Sequence, residues 1–280
     1  MWTDKARTVA AMVGLSLWGG LAHAVDGTFL ITQNLVNASG GFPYTLSQAG
    51  SYRLASNLTV PDENTTAIRI LVSNVTLDLN GFSIIGPVVC TGTPPTCTPA
   101  NGTGVGVDGA AANITVMNGT VRGMGRGGVS VGDNGTVRGM RVLSIGGPIA
   151  ISLRNGSVAA ENIVKDVAIE GIFGGSANTM TNNVVTNVGQ FGTCLNTAGS
   201  GGIGGVISNN TCRDANFGIG TDGGYLVIGN SVTNARNGGL ALQPTDGYAN
   251  NVLNNPGAFF GNVFGGVNMG HNLCGTALCP

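Results

Sequence analysis

Two short charged pairs are the strongest chemical signal in this sequence. Lys165-Asp166 and Arg213-Asp214 repeat the same order of charges, and Arg236 follows. Two carboxylates on one face could act as acid and base in glycan cleavage, whereas the cations could bind an anionic ligand. Two steps of a stacked repeat would separate the carboxylates by roughly 10 Å, beyond the roughly 6.5–9.5 Å of inverting glycosidases. The pattern therefore favours binding over catalysis, with solvent-facing turn residues as the alternative.

The other reactive side chains form no catalytic or metal-binding motif. Glu170 and Asp222 are expected near the charged pairs, but residues 221–223 lack the partner acids of an aspartate-rich motif. His271 is the one histidine beyond the N-terminal segment, so no Ser-His-Asp arrangement is expected. Residues 104–109 match GxGxxG without a helical segment after them, which argues against nucleotide binding. The sequence predicts no metal site and no cofactor.

The first 24 residues have the pattern of a signal peptide. Lys5 and Arg7 precede a mostly apolar stretch, and residues 22–24 offer a small-x-small cleavage site. An uncleaved membrane anchor is the alternative, although an apolar run of about 14 residues is short for a bilayer. We expect a mature chain that begins at Val25, has no integral membrane segment and is exported to the periplasm, cell surface or extracellular space.

Six cysteines follow this segment, an even number that predicts disulfides in an exported chain. Zinc binding is the alternative, but no CxxC pair is present. Proximity along the chain favours the pairs Cys90–Cys97, Cys194–Cys212 and Cys274–Cys279.

Composition predicts short strands joined by tight turns. Only 9% of residues are charged, against a usual share of roughly 25%. The 49 glycines and 30 asparagines supply the left-handed backbone conformations that turns need. Hydrophobic residues make up 42% of the chain, enough for a continuous core. With no basic face or stripe, the sequence predicts no nucleic-acid binding.

A repeat of about 21 residues organises these groups. Apolar residues recur two and five places after a reference position, so the repeat predicts strands of an all-β parallel solenoid, with about nine coils. The reference position holds Asn162, Asn183, Asn210, Asn230, Asn251 and Asn272, and stepping backwards extends it to Arg141, Thr120 and Phe82.

A second polar column lies four places after the first. Asn and Asp tolerate left-handed backbone angles, so these residues are predicted to form the turn after a strand. Lys165 and Arg213 would then face water along one edge, and the amides of the first column would hydrogen-bond along the coil axis. The second column holds Asp166, Asn187, Asp214, Asn234 and Asn255.

The repeat also suggests how the chain is divided. We expect residues 25–72 to form an N-terminal cap with the first strands, because an open solenoid end would aggregate. Residues 73–280 would form the solenoid, with loop insertions at 87–103 and 190–204. The Cys274–Cys279 loop would close the other end.

The coil pattern resembles the right-handed parallel β-helix superfamily, the pectin-lyase-like fold. The stretch from Gly50, which includes GSYRLASNLTVPDENTTAIRI and NVTLDLNGFSIIGP, is similar to the opening of bacterial secreted β-helix-repeat proteins of unassigned function. The resemblance implies a fold without an activity, because the superfamily includes lyases, hydrolases, epimerases, tailspikes and adhesins. The motifs of pectate lyases and polygalacturonases have no counterpart here, so no catalytic residue is carried over.

These observations favour an exported, non-catalytic binding or structural module of the cell surface or envelope. By analogy with the superfamily, the ligand would be a polysaccharide or cell-envelope glycan. The alternative is a polysaccharide lyase or glycoside hydrolase that uses Asp166 and Asp214. The candidate ligand-binding residues are Lys165, Asp166, Arg213, Asp214 and Arg236.

Overall fold

The computed structural model describes residues 27–198, 204–255 and 258–279, and the predicted signal peptide lies outside these ranges. The described chain is a β-solenoid of stacked parallel coils with three strand-bearing faces. This confirms the predicted fold class. In the described part of the chain, no helix is long and apolar enough to cross a membrane.

Faces 1 and 2 meet at a corner and belong to one 20-stranded sheet. Face 1 comprises β1 (Thr28–Ile31), β3 (Gly50–Leu54), β6 (Val75–Asp78), the first parts of β11 (Ile114–Arg122) and β13 (Thr136–Ile145), β15 (Val158–Ala160), β18 (Thr179–Thr181), β21 (Val206–Ser208), β24 (Leu226–Ile228), β27 (Gly247–Ala249) and β30 (Val267–Asn268). Face 2 comprises β4 (Leu58–Thr59), β7 (Ser83–Ile85), the rest of β11 and β13, β16 (Ile163–Val167), β19 (Val184–Val188), β22 (Thr211–Arg213), β25 (Ser231–Thr233), β28 (Val252–Asn254) and β31 (Leu273–Cys274).

Face 3 is a separate 10-stranded parallel sheet. It comprises β2 (Tyr44–Leu46), β5 (Ile68–Ile70), β10 (Val105–Gly109), β12 (Gly127–Val131), β14 (Ile149–Leu153), β17 (Glu170–Gly174), β20 (Thr193–Thr197), β23 (Phe217–Gly220), β26 (Gly238–Ala241) and β29 (Val263–Phe264). The remaining elements are the helix α1 (Gln33–Ala38), the antiparallel hairpin β8 (Val89–Thr91) and β9 (Thr96–Thr98), and β32 (Ala277–Leu278).

The solenoid has about 11 turns, so the prediction of about nine was too low. The difference arises at the N-terminus, where the strands before residue 73 already join the regular ladders. β1 pairs with β3, β3 with β6, and β2 with β5, all in parallel. These first coils lack the asparagine that marks the later ones, so sequence spacing alone did not reveal them.

Alternation along each strand builds the core. The residues two places after the reference asparagines, from Val164 and Val185 to Cys212, point inward and are buried. Their chain neighbours point outward because successive side chains of a strand face opposite sides. Burial of one such aliphatic side chain contributes about 1.5–3 kcal/mol, repeated coil after coil.

The reference asparagines form a buried ladder at the corner between faces 1 and 2. Asn183 shows the pattern: its Nδ2 donates to Asn210 Oδ1 at 3.0 Å and to the carbonyl of Ala159 at 2.9 Å. Its Oδ1 accepts from the backbone N–H and the Nδ2 of Asn162. The amide groups are thus paired from coil to coil, as the sequence predicted for stacked amides.

The backward extension of this column was wrong by one residue at Arg141 and Thr120 and correct at Phe82. Ile163 pairs with Arg141, so Asn162 lies opposite Met140, whose N–H donates to Asn162 Oδ1. The coil between them has one extra residue, and a slip of one residue exchanges the two sides of a strand. Met140 is therefore buried, whereas Arg141 is exposed.

The second polar column forms the corner between faces 2 and 3. Asp166, Asn187, Asp214 and Asn234 have φ between 56° and 59°, which confirms the predicted left-handed turn. Asn255 departs from the pattern, because its side chain points inward and its Oδ1 accepts from the N–H of Ala235.

The structure contains three disulfides, and all three predicted pairs are confirmed: Cys90–Cys97, Cys194–Cys212 and Cys274–Cys279. They indicate an extracytoplasmic location. The first closes the β8–β9 hairpin of the 87–103 insertion. The second joins β20 on face 3 to β22 on face 2. The predicted 190–204 insertion therefore contains one regular strand, β20, paired with β17 and β23.

Different elements cover the two ends of the solenoid. At the N-terminal end, α1 inserts the fully buried Val36 into the core. At the C-terminal end, β31 and β32 form an antiparallel hairpin closed by Cys274–Cys279, and the N–H of Cys279 donates to Asn272 O.

Candidate ligand-binding site

Four of the five predicted site residues line one cleft of about 490 Å³ on face 2. These are Lys165 and Asp166 from β16 and its corner, and Arg213 and Asp214 from β22 and its corner. Thr186 and Asn187, from the intervening coil, complete the floor. The sequence identified the charged residues of this floor and did not single out Thr186.

Local geometry fixes where the two cations point. Val164 and Cys212 face the core, so Lys165 and Arg213, one residue later, face outward. Their side chains are 56% and 60% exposed. The next residue, Asp166 or Asp214, takes the left-handed conformation and turns the chain towards face 3.

The 87–103 insertion supplies a wall beside this floor. Residues 90–93 of the hairpin line the cleft, and Asn187 Nδ2 donates to Gly92 O at 2.7 Å. The same Nδ2 donates to Asp166 Oδ1 at 2.7 Å. The hairpin is thus attached to the corner column in the middle of the site. The 87–103 insertion was predicted from the sequence, but the face over which it folds was not.

A second cleft of about 410 Å³ continues along the same wall. It is lined by Arg122 and Arg141 of face 2, by Val88 and Val89 of the hairpin segment, and by Lys165 and Asp166, which it shares with the first cleft. We call these two adjoining clefts together the trough. Arg122 and Arg141 were not predicted as site residues. The predicted register placed Arg141 in the column of the reference asparagines, whereas it faces outward.

The trough carries more positive than negative charge. Its cations are Arg122, Arg141, Lys165 and Arg213, and its carboxylates are Asp166 and Asp214. Lys165 Nζ lies 3.8 Å from Asp166 Oδ2, and Arg213 Nε lies 3.2 Å from Asp214 Oδ2. Such exposed pairs contribute little stability, and both cations retain donors for a ligand.

Arg236 lies at the corner between faces 2 and 3, in the coil that follows the coil of Arg213. It lines neither cleft of the trough. Its Nη2 donates to the carbonyls of Gly189 and Val188, at 2.8 and 3.3 Å. Burial lowers the pKa of this guanidinium, and the nearby Asp214 partly opposes that effect. Arg236 therefore links its own corner to a corner two coils earlier, across the coil that contains Ala215.

The other acids expected nearby lie elsewhere. Glu170 is on face 3, where Asn196 Nδ2 donates to its Oε1 at 2.8 Å and where burial raises its pKa. Asp222 accepts a hydrogen bond from Thr197 Oγ1 at 2.9 Å. Neither acid lines the trough. Within the described residues, no group of three or more His, Cys, Asp or Glu side chains could hold a metal ion.

Face 3 has a smaller cleft of about 310 Å³. Its lining includes Arg69, Asp108 and Arg126, together with the hydroxyl residues Ser130 and Ser152. Arg69 Nε lies 3.6 Å from Asp108 Oδ2. This cleft contains none of the residues selected from the sequence.

Each carboxylate of the trough lies beside a cation of its own coil. Each also accepts a hydrogen bond from an asparagine amide, Asp166 from Asn187 and Asp214 from Asn234. The fold defines the chain as a parallel β-solenoid. No family model, no curated protein and no solved structure matches it.

Proposed function

We propose that this protein is an exported, non-catalytic binding module of the cell surface or envelope, and that it holds an acidic polysaccharide in the trough. The observation that carries the proposal is the position of the insertion hairpin beside four outward-facing cations of face 2. An open, elongated channel with excess positive charge suits a linear anionic polymer. The disulfides are compatible with export.

The type of cation also supports an anionic ligand. Arg213 presents a planar guanidinium that can bind a carboxylate or sulfate with two parallel hydrogen bonds. Its Nε faces Asp214, which orients the group while much of the side chain stays in water. Asp166 and Asp214 could accept hydrogen bonds from sugar hydroxyl groups. The trough therefore offers both hydrogen-bond donors and hydrogen-bond acceptors to a glycan.

A role without catalysis is favoured by the distribution of acids. Asp166 receives a hydrogen bond from Asn187, and Asp214 receives one from Asn234 at 3.2 Å. The acid with a raised pKa, Glu170, lies on face 3 and bonds to Asn196. The two carboxylates of the trough belong to coils two steps apart, roughly 10 Å, which exceeds the roughly 6.5–9.5 Å of inverting glycosidases.

Binding of acidic polysaccharides to the purified protein tests the proposal. Arg213→Ala should weaken binding by about tenfold, the loss expected for a charge-assisted hydrogen bond. Affinity of the wild type should fall as salt concentration rises. Arg154→Ala is a matched control, because Arg154 is exposed and lies outside the trough. Thermal melts should show that both variants fold.

Two results would overturn the proposal. Equal affinity of wild type and Arg213→Ala across an anionic glycan panel would remove the trough as the site. Glycan cleavage by the wild type, abolished by Asp166→Asn or Asp214→Asn, would replace binding with the alternative activity, a polysaccharide lyase or glycoside hydrolase.

A further inference from the structure

The cations of the trough are spaced by the register of face 2. One outward column runs through consecutive coils as Arg122, Leu143, Lys165, Thr186 and Arg213. Cations occupy every second coil of this column, and uncharged side chains occupy the coils between them. The next two coils hold Thr233 and Asn254, so no cation follows Arg213 in this column.

Strand spacing converts this pattern into a distance. Neighbouring coils are about 4.8 Å apart, so the backbone positions of successive cations are separated by roughly 10 Å. The wall formed by residues 88–93 runs along the same coils, since it borders both clefts of the trough. A ligand lying along this column therefore meets a column cation at every second coil.

We infer that the ligand is a linear polysaccharide with one anionic group for every two sugar residues, extended along the coil axis. One sugar residue of an extended glycan is about as long as one coil step, so a disaccharide repeat matches the cation period. A polymer with a carboxylate on every sugar would place alternate charges against Leu143 and Thr186. This inference rests on the proposed function and narrows its ligand class.

The neighbouring carboxylates are compatible with this match. Asp166 and Asp214 occur in the same coils as Lys165 and Arg213 and flank them on the corner side. Each exposed pair leaves donors of the cation free for a second acceptor. Arg141 lies in the coil that follows the coil of Arg122, on the same strand as Leu143 and two residues before it. It therefore adds positive charge beside the column and not within it.

Length dependence gives the first test. From Arg122 to Arg213 the column spans four coil steps, roughly 19 Å. Oligosaccharides of hyaluronan, which carry one carboxylate per disaccharide, should bind more tightly with each added repeat up to three carboxylates. Beyond that length the affinity should level off. A continued steep rise with longer oligosaccharides would contradict a site of this length.

Charge spacing gives the decisive test, by calorimetry at equal chain length and ionic strength. Hyaluronan oligosaccharides should bind at least tenfold more tightly than oligogalacturonates, which carry a carboxylate on every sugar. Carboxyl-reduced hyaluronan should not bind. Thr186→Lys fills the uncharged position between Lys165 and Arg213. It should raise affinity for oligogalacturonate severalfold and change hyaluronan binding little, and Thr186→Ser is its control.

The outcomes separate this inference from the proposed function. If oligogalacturonate binds as tightly as hyaluronan or more tightly, the spacing inference fails while binding of acidic glycans stands. If no anionic glycan binds, the proposed function fails, and the inference fails with it.

Discussion

Two asparagine columns border the strands of face 2, and they place different demands on the residue at each position. At the corner with face 1, Asn183 and Asn210 are buried and their amide groups are paired from coil to coil. At the corner with face 3, Asn187 and Asn234 stand in a column with Asp166 and Asp214 and share their left-handed backbone. The first column depends on a side chain, and the second depends on a backbone angle.

This difference explains where variation is tolerated. A ladder position must offer both a donor and an acceptor in a buried site, which only a primary amide provides at this length. A corner position must accept a positive φ, which Asn, Asp and Gly do readily. Charged residues can therefore enter the second column, and that is the column beside the trough.

The largest expected effect comes from breaking the ladder. Asn210→Ala removes the acceptor for the N–H and Nδ2 of Asn183 and the donor to the carbonyl of Met180. Because these groups are buried, we expect a loss of about 3 kcal/mol in the free energy of unfolding. Urea denaturation would measure it. A loss below about 0.5 kcal/mol would show that the ladder does not stabilise the fold.

A smaller effect is expected at the corner column. Asn234 has φ 56°, so Asn234→Ala should cost about 1 kcal/mol, whereas Asn234→Gly should cost close to nothing. In the ladder, Asn210→Gly should lose at least as much free energy of unfolding as Asn210→Ala. Equal losses for the two Asn234 variants would mean that the side chain, and not the backbone angle, matters at the corner.

A pH-dependent effect is expected at Glu170, outside both columns. Burial raises its pKa, so the folded state holds this proton more tightly than the unfolded state does. The resulting stability is present below the unfolded pKa and is lost as pH rises through the folded pKa. Glu170→Gln stays uncharged and keeps an oxygen for Asn196. Thermal melts should show the variant gaining stability relative to the wild type as the pH rises above about 4. A pH-independent difference would contradict this account.

The smallest effect is expected for the corner carboxylates. Asp166→Asn and Asp214→Asn should each change the free energy of unfolding by less than about 0.5 kcal/mol. Asparagine already holds the same backbone conformation at Asn187 and Asn234. Chemical denaturation at neutral pH would check this, and a loss comparable to that of Asn210→Ala would erase the distinction between the columns.

The fold and part of the lining of the candidate site could be predicted from the sequence because the chain is repetitive. Repetition exposes what recurs, so the inward columns, the asparagine ladder and the disulfides could be read from spacing. Features that occur only once in the chain could not be predicted from spacing. The extra residue between Met140 and Asn162 shifted the register without an asparagine to reveal it. The folding of the hairpin onto Asn187 depends on a contact between residues far apart in the chain.

The asparagine ladder also gives the molecule a direction. Every side-chain amide from Asn162 to Asn251 donates to the asparagine of the following coil, so all of these hydrogen bonds point towards the C-terminal end. There Asn272 Nδ2 donates to Asn268 Oδ1 at 2.8 Å, and the series stops. The same amide also donates to the carbonyls of Tyr248 and Gly270, so its donors are satisfied within its own part of the chain. Beside it, β32 pairs antiparallel with β31 and so occupies an edge at which another parallel strand could otherwise pair.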